Sequence, residues 1–190
     1  MNVWALCGAD WREATAAAGG VQPVLSPPFE AGGNWAKAAA ADLVYLNLHG
    51  FDGQANFYGQ QGGVIGPTAV TPAMVKAHDW TGCIVFAEVC FSAKNGGGPI
   101  ARAFLENGAR AFIGSTTEAY GRIKPVIWDG EADKLAHLFR KFMERKPDTA
   151  PGQLLKQAKN LLAALSWPLD SHDHMTLNSF ICLEAKHEEK

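Results

Sequence analysis

Several features that would assign this chain to common functional classes are missing from its sequence. It has four cysteines in 190 residues and no Cys-x-x-Cys pair, which argues against a disulfide framework. Its 17 basic residues do not outnumber its 19 acidic ones, so no basic surface indicates nucleic-acid binding. No apolar run approaches the length of a membrane span, and no basic N-terminal region suggests a signal peptide. We therefore expect a cytoplasmic protein that binds neither nucleic acid nor membrane.

The remaining composition is typical of a globular protein. With 47% hydrophobic residues, 190 residues can build one sizeable core, and we predict a single domain spanning 1–190. Strands are predicted at 2–7, 21–25, 43–48, 83–89, 109–113 and 176–183. Helices are predicted at 11–18, 35–40, 72–78, 100–107, 130–146 and 152–165, with a Gly-rich loop or hairpin at 51–66. Because strands alternate with helices, the pattern predicts an α/β protein with a mostly parallel central sheet flanked by helices.

Two short stretches contain the residues that could take part in catalysis. Residues 43–50 form an apolar run that ends in His49-Gly50, and residues 83–92 form another that ends just beyond Cys90. Such runs are typical of buried parallel strands, which lie about 4.8 Å apart. If these two strands are neighbours, the imidazole and the thiol leave the sheet at the same edge, where open α/β sheets bind ligands. The sequence therefore predicts a Cys-His catalytic dyad.

The same stretches resemble the caspase-like cysteine peptidases, most closely gingipain and CHAT-type domains. In that superfamily a His-Gly pair follows one strand, and an acidic or amide residue, Ala and the catalytic Cys follow the next. Here the match is His49-Gly50 and the segment 88–93, with Val89 where Ala is usual and Ala93 where Gly often stands. The segments 100–115 and 176–181 resemble the helix-strand unit and the closing strand, although the usual Gly-Asp-Pro after the closing strand is absent.

This resemblance implies a three-layer caspase-like fold and a peptidase that acts on peptides or proteins without a cofactor or metal. Cys90 would be the nucleophile and His49 the base that takes the thiol proton and returns it to the leaving amine. Backbone N–H groups near Gly50 and Cys90 would hold the oxyanion. The segment from Ser115 and Thr116 to Glu118 matches the edge along which family members pair an extended substrate.

Acidic residues near this edge have two interpretations each. Asp10 follows the first predicted strand. The resemblance implies that this region lines a substrate pocket, in which a carboxylate would favour Arg or Lys; the alternative is an aspartate in a turn or cap before a helix. Glu118 and Asp52 are further candidates for that pocket. Glu88 lies two residues before Cys90 and either positions the site and its substrate or is a hydrogen-bonded buried carboxylate.

Other functions are weighed against the peptidase. The histidines and cysteine His172, His174, Cys182 and His187 match no standard zinc spacing, so we predict a polar surface loop at 170–174 and no metal. The main alternative is a catalytically silent binding or regulatory module of the same fold. A nucleotide-binding domain is a third hypothesis, but no phosphate loop supports it. We also expect that a sheet edge could pair with another subunit.

Overall fold

A computed structural model describes residues 1–124 and 131–185 of the chain. The strands are β1 (Val3–Gly8), β2 (Val24–Ser26), β3 (Leu43–Asn47), β4 (Phe57–Gln61), β5 (Val64–Val70), β6 (Ile84–Glu88), β7 (Ala111–Ser115) and β8 (Phe180–Glu184). Six of them form the central sheet in the order β2-β1-β3-β6-β7-β8, in which only β8 is antiparallel to its neighbour. Strands β4 and β5 form a separate antiparallel hairpin.

Helices cover both faces of the sheet. They are α1 (Arg12–Gly19), α2 (Ala36–Ala39), α3 (Pro72–Lys76), α4 (Pro99–Glu106), α5 (Ala132–Arg145), α6 (Pro151–Leu165) and α7 (Ser171–Ser179). Helices α2, α3 and α4 pack on one face, while α1, α5 and α6 pack on the other. The predicted α/β class, a mostly parallel sheet within three layers, is confirmed. None of the helices in residues 1–124 and 131–185 is long and apolar enough to cross a bilayer.

Alternation along the central strands explains the two cores. In β3, Val44 and Leu46 point to the face covered by α2, α3 and α4, where Trp35 and Trp80 are fully buried. Tyr45 points to the opposite face and packs near Phe86 and the helices α5 and α6. Because both faces of these strands are covered, the strands consist of almost continuous apolar runs.

The predicted elements of the first 124 residues correspond to observed ones with ends shifted by a few residues. The Gly-rich segment 51–66 contributes to the β4–β5 hairpin, one of the two forms predicted for it. Thr71 caps α3 through its side chain, and Gly20 ends α1 in a left-handed conformation with φ of 67°. The predicted helix 130–146 is observed as α5, and Gly130 lies outside the described residues.

The C-terminal prediction was wrong in one element. Residues 170–174 are not a loop: Asp170 caps α7, and Asp173 completes a capping box with it. The last strand is therefore Phe180–Glu184 instead of 176–183, because 176–179 remain helical. Thr176 and Ser179, which the resemblance assigned to the closing strand, lie near the C-terminal end of α7 instead.

Candidate active site

The ends of β3 and β6 bring the predicted dyad to one edge of the sheet. These strands pair in parallel up to Asn47 opposite Glu88, and His49 and Cys90 each follow two residues further along, at the same edge of the sheet. The Gly50 backbone packs directly against the segment that carries the thiol. A Cβ at position 50 would lie 2.3 Å from the Cys90 carbonyl oxygen, which leaves no room for any side chain. Only glycine therefore fits at position 50, where the ends of β3 and β6 pack together.

A tight turn places the thiol at the end of β6. Phe91 adopts a left-handed backbone conformation with φ of 58°, which is uncommon for a residue with a side chain. The turn is held by the Phe91 N–H, which donates to the Thr117 carbonyl at 2.7 Å, and by the Ala93 N–H, which donates to the Ser115 carbonyl at 2.9 Å. The segment after β7 therefore supports the backbone that presents Cys90.

The Cys90 thiol is half-buried and forms hydrogen bonds with the backbone of Ala119. Its Sγ accepts the Ala119 N–H at 3.3 Å and donates to the Ala119 carbonyl at 3.6 Å. Burial raises the pKa of Cys90 above its usual range; the Ala119 N–H opposes this shift, and the charge of Glu118 adds to it. Within residues 1–124 and 131–185, no hydrogen bond joins this thiol to His49. The structure therefore shows a thiol that is hydrogen-bonded to the Ala119 backbone, and its burial favours the protonated form.

The hairpin fixes the position of the imidazole. His49 and Tyr58 exchange two backbone hydrogen bonds, each 2.9 Å long, which attach the end of β3 to β4. The indole of Trp11 meets the imidazole ring edge to face at 4.8 Å, and the Phe51 ring lies nearly parallel to it at 6.3 Å. The ring is thus enclosed by two aromatic side chains from different parts of the chain.

Gln60 is the functional candidate that the sequence prediction missed. Its side-chain Oε1 contacts Nε2 of His49, and its Nε2 donates to the Asp10 carboxylate at 2.8 Å. Asp10 also accepts the backbone N–H groups of Gly62 and Gly63, at 2.8 and 2.9 Å. These hydrogen bonds, led by that from Gln60, lower the pKa of Asp10. No signal in the sequence indicated this contact, since the pairing of β4 with β5 is irregular between Tyr58 and Gln60.

Asp10 therefore has a defined place in the site. Its carboxylate caps the turn between β4 and β5 and is connected to His49 through Gln60. This geometry differs from the predicted local cap before a helix, because the carboxylate binds the backbone of a hairpin that lies about 50 residues further along the chain. Its role as a substrate-pocket residue stays a prediction.

Glu88 lies beneath Cys90 in a buried pair of carboxyl groups. The Tyr45 hydroxyl donates to Glu88 Oε2 at 2.5 Å, and the other oxygen of Glu88 faces the Asp133 carboxylate on α5. Burial raises the pKa of Glu88 well above its usual range and that of Asp133 to about 6. Two adjoining carboxyl groups avoid repulsion by sharing a proton. Gly121 covers the pair, since a Cβ there would lie 2.0 Å from Glu88 Oε1.

The remaining predicted substrate residues differ in accessibility. Ser115 is fully buried, and its hydroxyl donates to the Ser179 hydroxyl at 3.0 Å. Thr116 is bonded to the Ser179 carbonyl through both its N–H and its hydroxyl. Glu118 is exposed and accepts a hydrogen bond of 2.6 Å from the Tyr120 hydroxyl. Of this segment, Glu118 is thus the side chain that a ligand could reach most readily.

A small cleft lies on the other side of Cys90. It is lined mainly by aromatic and apolar side chains and by the backbone after the thiol, including Phe51, Phe57, Phe91, Pro99 and Ile100. Lys94 and Asp52 form an ion pair of 2.6 Å between the two loops that border it. The Asp52 carboxylate is thus engaged by a lysine of the same chain.

The structure brings no metal ligands together in its described part. Among residues 1–124 and 131–185, no group of three His, Cys, Asp or Glu side chains could hold a metal ion. His172 lies on α7 near Glu131, with Nδ1 at 3.6 Å from Oε1, and Cys182 lies in β8. His187 lies outside the described residues.

Comparison with known proteins gives a fold likeness. No protein-family model matches the chain, and no curated protein matches it. Eleven chains among the solved structures match. One of them, described as "Structure of Protease", is 15% identical, with a TM-score of 0.61 over 96% of this chain. The match covers 46% of that protein, so this chain spans less than half of its length.

Proposed function

We propose that this chain is a cysteine endopeptidase of the caspase-like group, with Cys90 as nucleophile and His49 as general base and acid. The observation that supports the proposal is the parallel register of β3 and β6, since His49 and Cys90 each lie two residues beyond its last pair, Asn47 and Glu88. The fold likeness to a protein described as a protease supports it. So does the packing of Gly50 on the Cys90 carbonyl, which ties the His-Gly pair to the thiol-bearing turn.

The proposed reaction assigns a role to the thiol, the imidazole and the Gly50 backbone. His49 takes the Cys90 proton, which the thiol now shares with the Ala119 carbonyl, and the thiolate attacks the scissile carbonyl carbon. The Gly50 N–H, which donates to no protein acceptor in the described part of the chain, would bind the oxyanion. The protonated imidazole then gives its proton to the leaving amine. Water hydrolyses the resulting thioester and restores the thiol.

We propose that the residue before the scissile bond is Arg or Lys. Among the charged groups near the thiol, Glu118 is close enough to raise the pKa of Cys90, while Lys94 is paired with Asp52. Glu118 is also exposed, whereas the carboxylate oxygens of Asp10 are occupied by Gln60, Gly62 and Gly63. A cationic side chain would therefore be attracted mainly by Glu118.

One observation favours the second candidate, a catalytically silent binding module. The thiol is bonded to Ala119 and not to His49, and burial raises its pKa. Such a protein would use the loops around the site for partner recognition, and no activity would depend on Cys90.

Covalent labelling decides between the two candidates. The purified protein is incubated with peptidyl electrophiles that carry Arg, Lys, Asp or Asn before the reactive group, and adducts are counted by intact-mass spectrometry. The wild type is compared with Cys90→Ala and His49→Ala, and Cys182→Ala serves as the matched control because burial raises the pKa of that thiol to about 12.

The peptidase predicts one adduct on the wild type and on Cys182→Ala, none on Cys90→Ala, and slower labelling of His49→Ala. Labelling by the Arg and Lys probes should be reduced in Glu118→Gln. Absence of labelling, or equal labelling of all four proteins, would contradict the peptidase and support the silent module.

A further inference from the structure

We propose that Gln60 is a positioning residue that fixes the hydrogen on Nε2 of His49 and so leaves Nδ1 as the basic nitrogen. The inference rests on the proposed function insofar as it assigns this nitrogen a catalytic role. The hydrogen-bond arrangement itself can be tested without any activity.

The first step concerns the orientation of the Gln60 amide. Asp10 is an ionised carboxylate that accepts three hydrogen bonds and has no proton to donate. Only the NH₂ end of the Gln60 side chain can therefore face it, as the 2.8 Å contact shows. Asp10 therefore orients the Gln60 amide so that its Oε1 end points toward His49.

The second step transfers this orientation to the imidazole. The end that faces His49 is Oε1, which has no hydrogen, so the Nε2 atom it contacts must carry one. In the neutral ring the lone pair then lies on Nδ1. The amide can accept the same N–H when the ring is protonated, so Gln60 holds the ring in one orientation throughout a proton-transfer cycle.

The third step concerns rigidity. Gln60 can select one tautomer of His49 only if the strand that carries Gln60 stays in place. Gln60 belongs to β4, which is bonded to the end of β3 through His49 and Tyr58. The preceding residue, Gly59, packs so closely on Ser26 of β2 that a Cβ there would lie 2.2 Å from the Ser26 carbonyl oxygen. The strand is thus held on both sides.

The first measurement is the titration of His49 by ¹⁵N-detected NMR in a Cys90→Ala background, in which no chemistry occurs. The wild-type sequence at position 60 is compared with Gln60→Glu and Gln60→Met. Gln61→Glu is the matched control, because this adjacent glutamine is exposed and lies on the opposite side of the strand.

We expect the neutral ring of His49 to carry its hydrogen on Nε2 when Gln60 is present. Gln60→Glu places a second carboxylate beside Asp10, and a protonated imidazole relieves their repulsion, so the titration midpoint of the ring should move up by about 1 pH unit, whereas Gln61→Glu should not cause this shift. Gln60→Met should increase the fraction of the Nδ1–H form. A neutral ring with its hydrogen on Nδ1, or equal midpoints for Gln60→Glu and Gln61→Glu, would overturn the inference.

The second measurement connects this arrangement to the thiol. The rate of Cys90 alkylation by iodoacetamide is followed against pH in proteins that retain the cysteine. Gln60→Met should slow alkylation about tenfold near neutral pH, and Gln61→Met should leave it unchanged.

The two measurements fail in different ways. If His49→Ala does not slow alkylation, the proposed dyad fails while the NMR result stands. If His49→Ala slows alkylation but Gln60→Met does not, the dyad stands and the positioning role of Gln60 is refuted.

Discussion

Two networks of hydrogen-bonded carboxylates lie beside the strand ends, one around Asp10 and one formed by Glu88 and Asp133. They differ in how negative charge is stabilised in a partly enclosed place. Asp10 is ionised and accepts hydrogen bonds from Gln60, Gly62 and Gly63. Glu88 and Asp133 are buried together, and an oxygen of each receives no hydrogen bond from any other described residue. The first network keeps its charge by surrounding it with donors, whereas the second reduces its charge by retaining a proton.

The difference shows what each network can do for the site. An ionised acceptor determines the orientation of its donors, and Asp10 passes such an orientation to His49 through Gln60. A pair that shares one proton carries one negative charge instead of two, so it connects β6 to α5 with less buried charge than two ionised carboxylates would have. The two networks can therefore be distinguished by how stability changes with pH and when a carboxylate is replaced by the amide of the same shape, as in Asp to Asn or Glu to Gln.

The largest effect is expected from Glu88→Ala. The substitution leaves the Tyr45 hydroxyl and the Asp133 carboxyl without their buried partner and should lower the free energy of unfolding by about 3 kcal/mol. Glu88→Gln keeps an oxygen for Tyr45 and offers an N–H to Asp133, so its cost should stay below about 1 kcal/mol. Urea unfolding at pH 7 measures both, and equal losses would contradict the shared proton.

A smaller effect is expected from the pH dependence of the same pair. Burial raises the pKa of Asp133 from 3.8 to about 6, so the folded protein retains a proton that the unfolded chain releases. Its contribution to stability is therefore complete below pH 3.8 and is lost as the pH rises through about 6.

Asp133→Asn removes this titration while its carbonyl oxygen can still accept the Arg122 N–H. Relative to this variant, the wild type should lose about 2 kcal/mol between pH 4 and 7 in urea unfolding series. A constant difference across that range would show that the carboxyl groups do not share a proton.

The smallest effect is expected from Asp10→Asn. The lowered pKa of Asp10 means that its contribution is present at neutral pH and is lost as the pH falls through its folded value. An asparagine can present only one oxygen to the turn, so the Gly62 and Gly63 amides should exchange their hydrogens faster, with little change in global stability.

Asp79→Asn is the matched control for amide exchange. Asp79 is another aspartate whose pKa is lowered by hydrogen bonds, in this case from Thr81, which lies outside the hairpin. It should leave the Gly62 and Gly63 amides unaffected, and equal exchange in both variants would mean that Asp10 does not hold the turn.

The sequence predicted those parts of the site that follow from strand patterns. Two apolar runs ending in His49 and Cys90 indicated adjoining parallel strands, and β3 and β6 do pair in parallel up to Asn47 and Glu88. The catalytic pairing of His49 with Cys90 stays a prediction. The prediction needed only the periodicity of the strands and the common direction of their ends.

What the sequence did not predict depends on contacts between distant segments. Gln60 reaches His49 only because the hairpin folds back over the sheet edge, and Asp133 reaches Glu88 only because α5 packs on β6. Neither residue has a local pattern that distinguishes it from a surface residue. The helix α7 was missed for a different reason: the polar run after Asp170 was interpreted as a loop although its capping box was present in the sequence.

The register of β3 and β6 also has a consequence for how the protein folds. The two strands are parallel, so the chain between Asn47 and Ile84 must cross over before they can pair. Contacts of this kind are distant in sequence and form slowly, after the entropy of closing the connection has been overcome. His49 and Cys90 therefore reach the same edge of the sheet only when the central strands have paired, and a growing or partly folded chain lacks this arrangement.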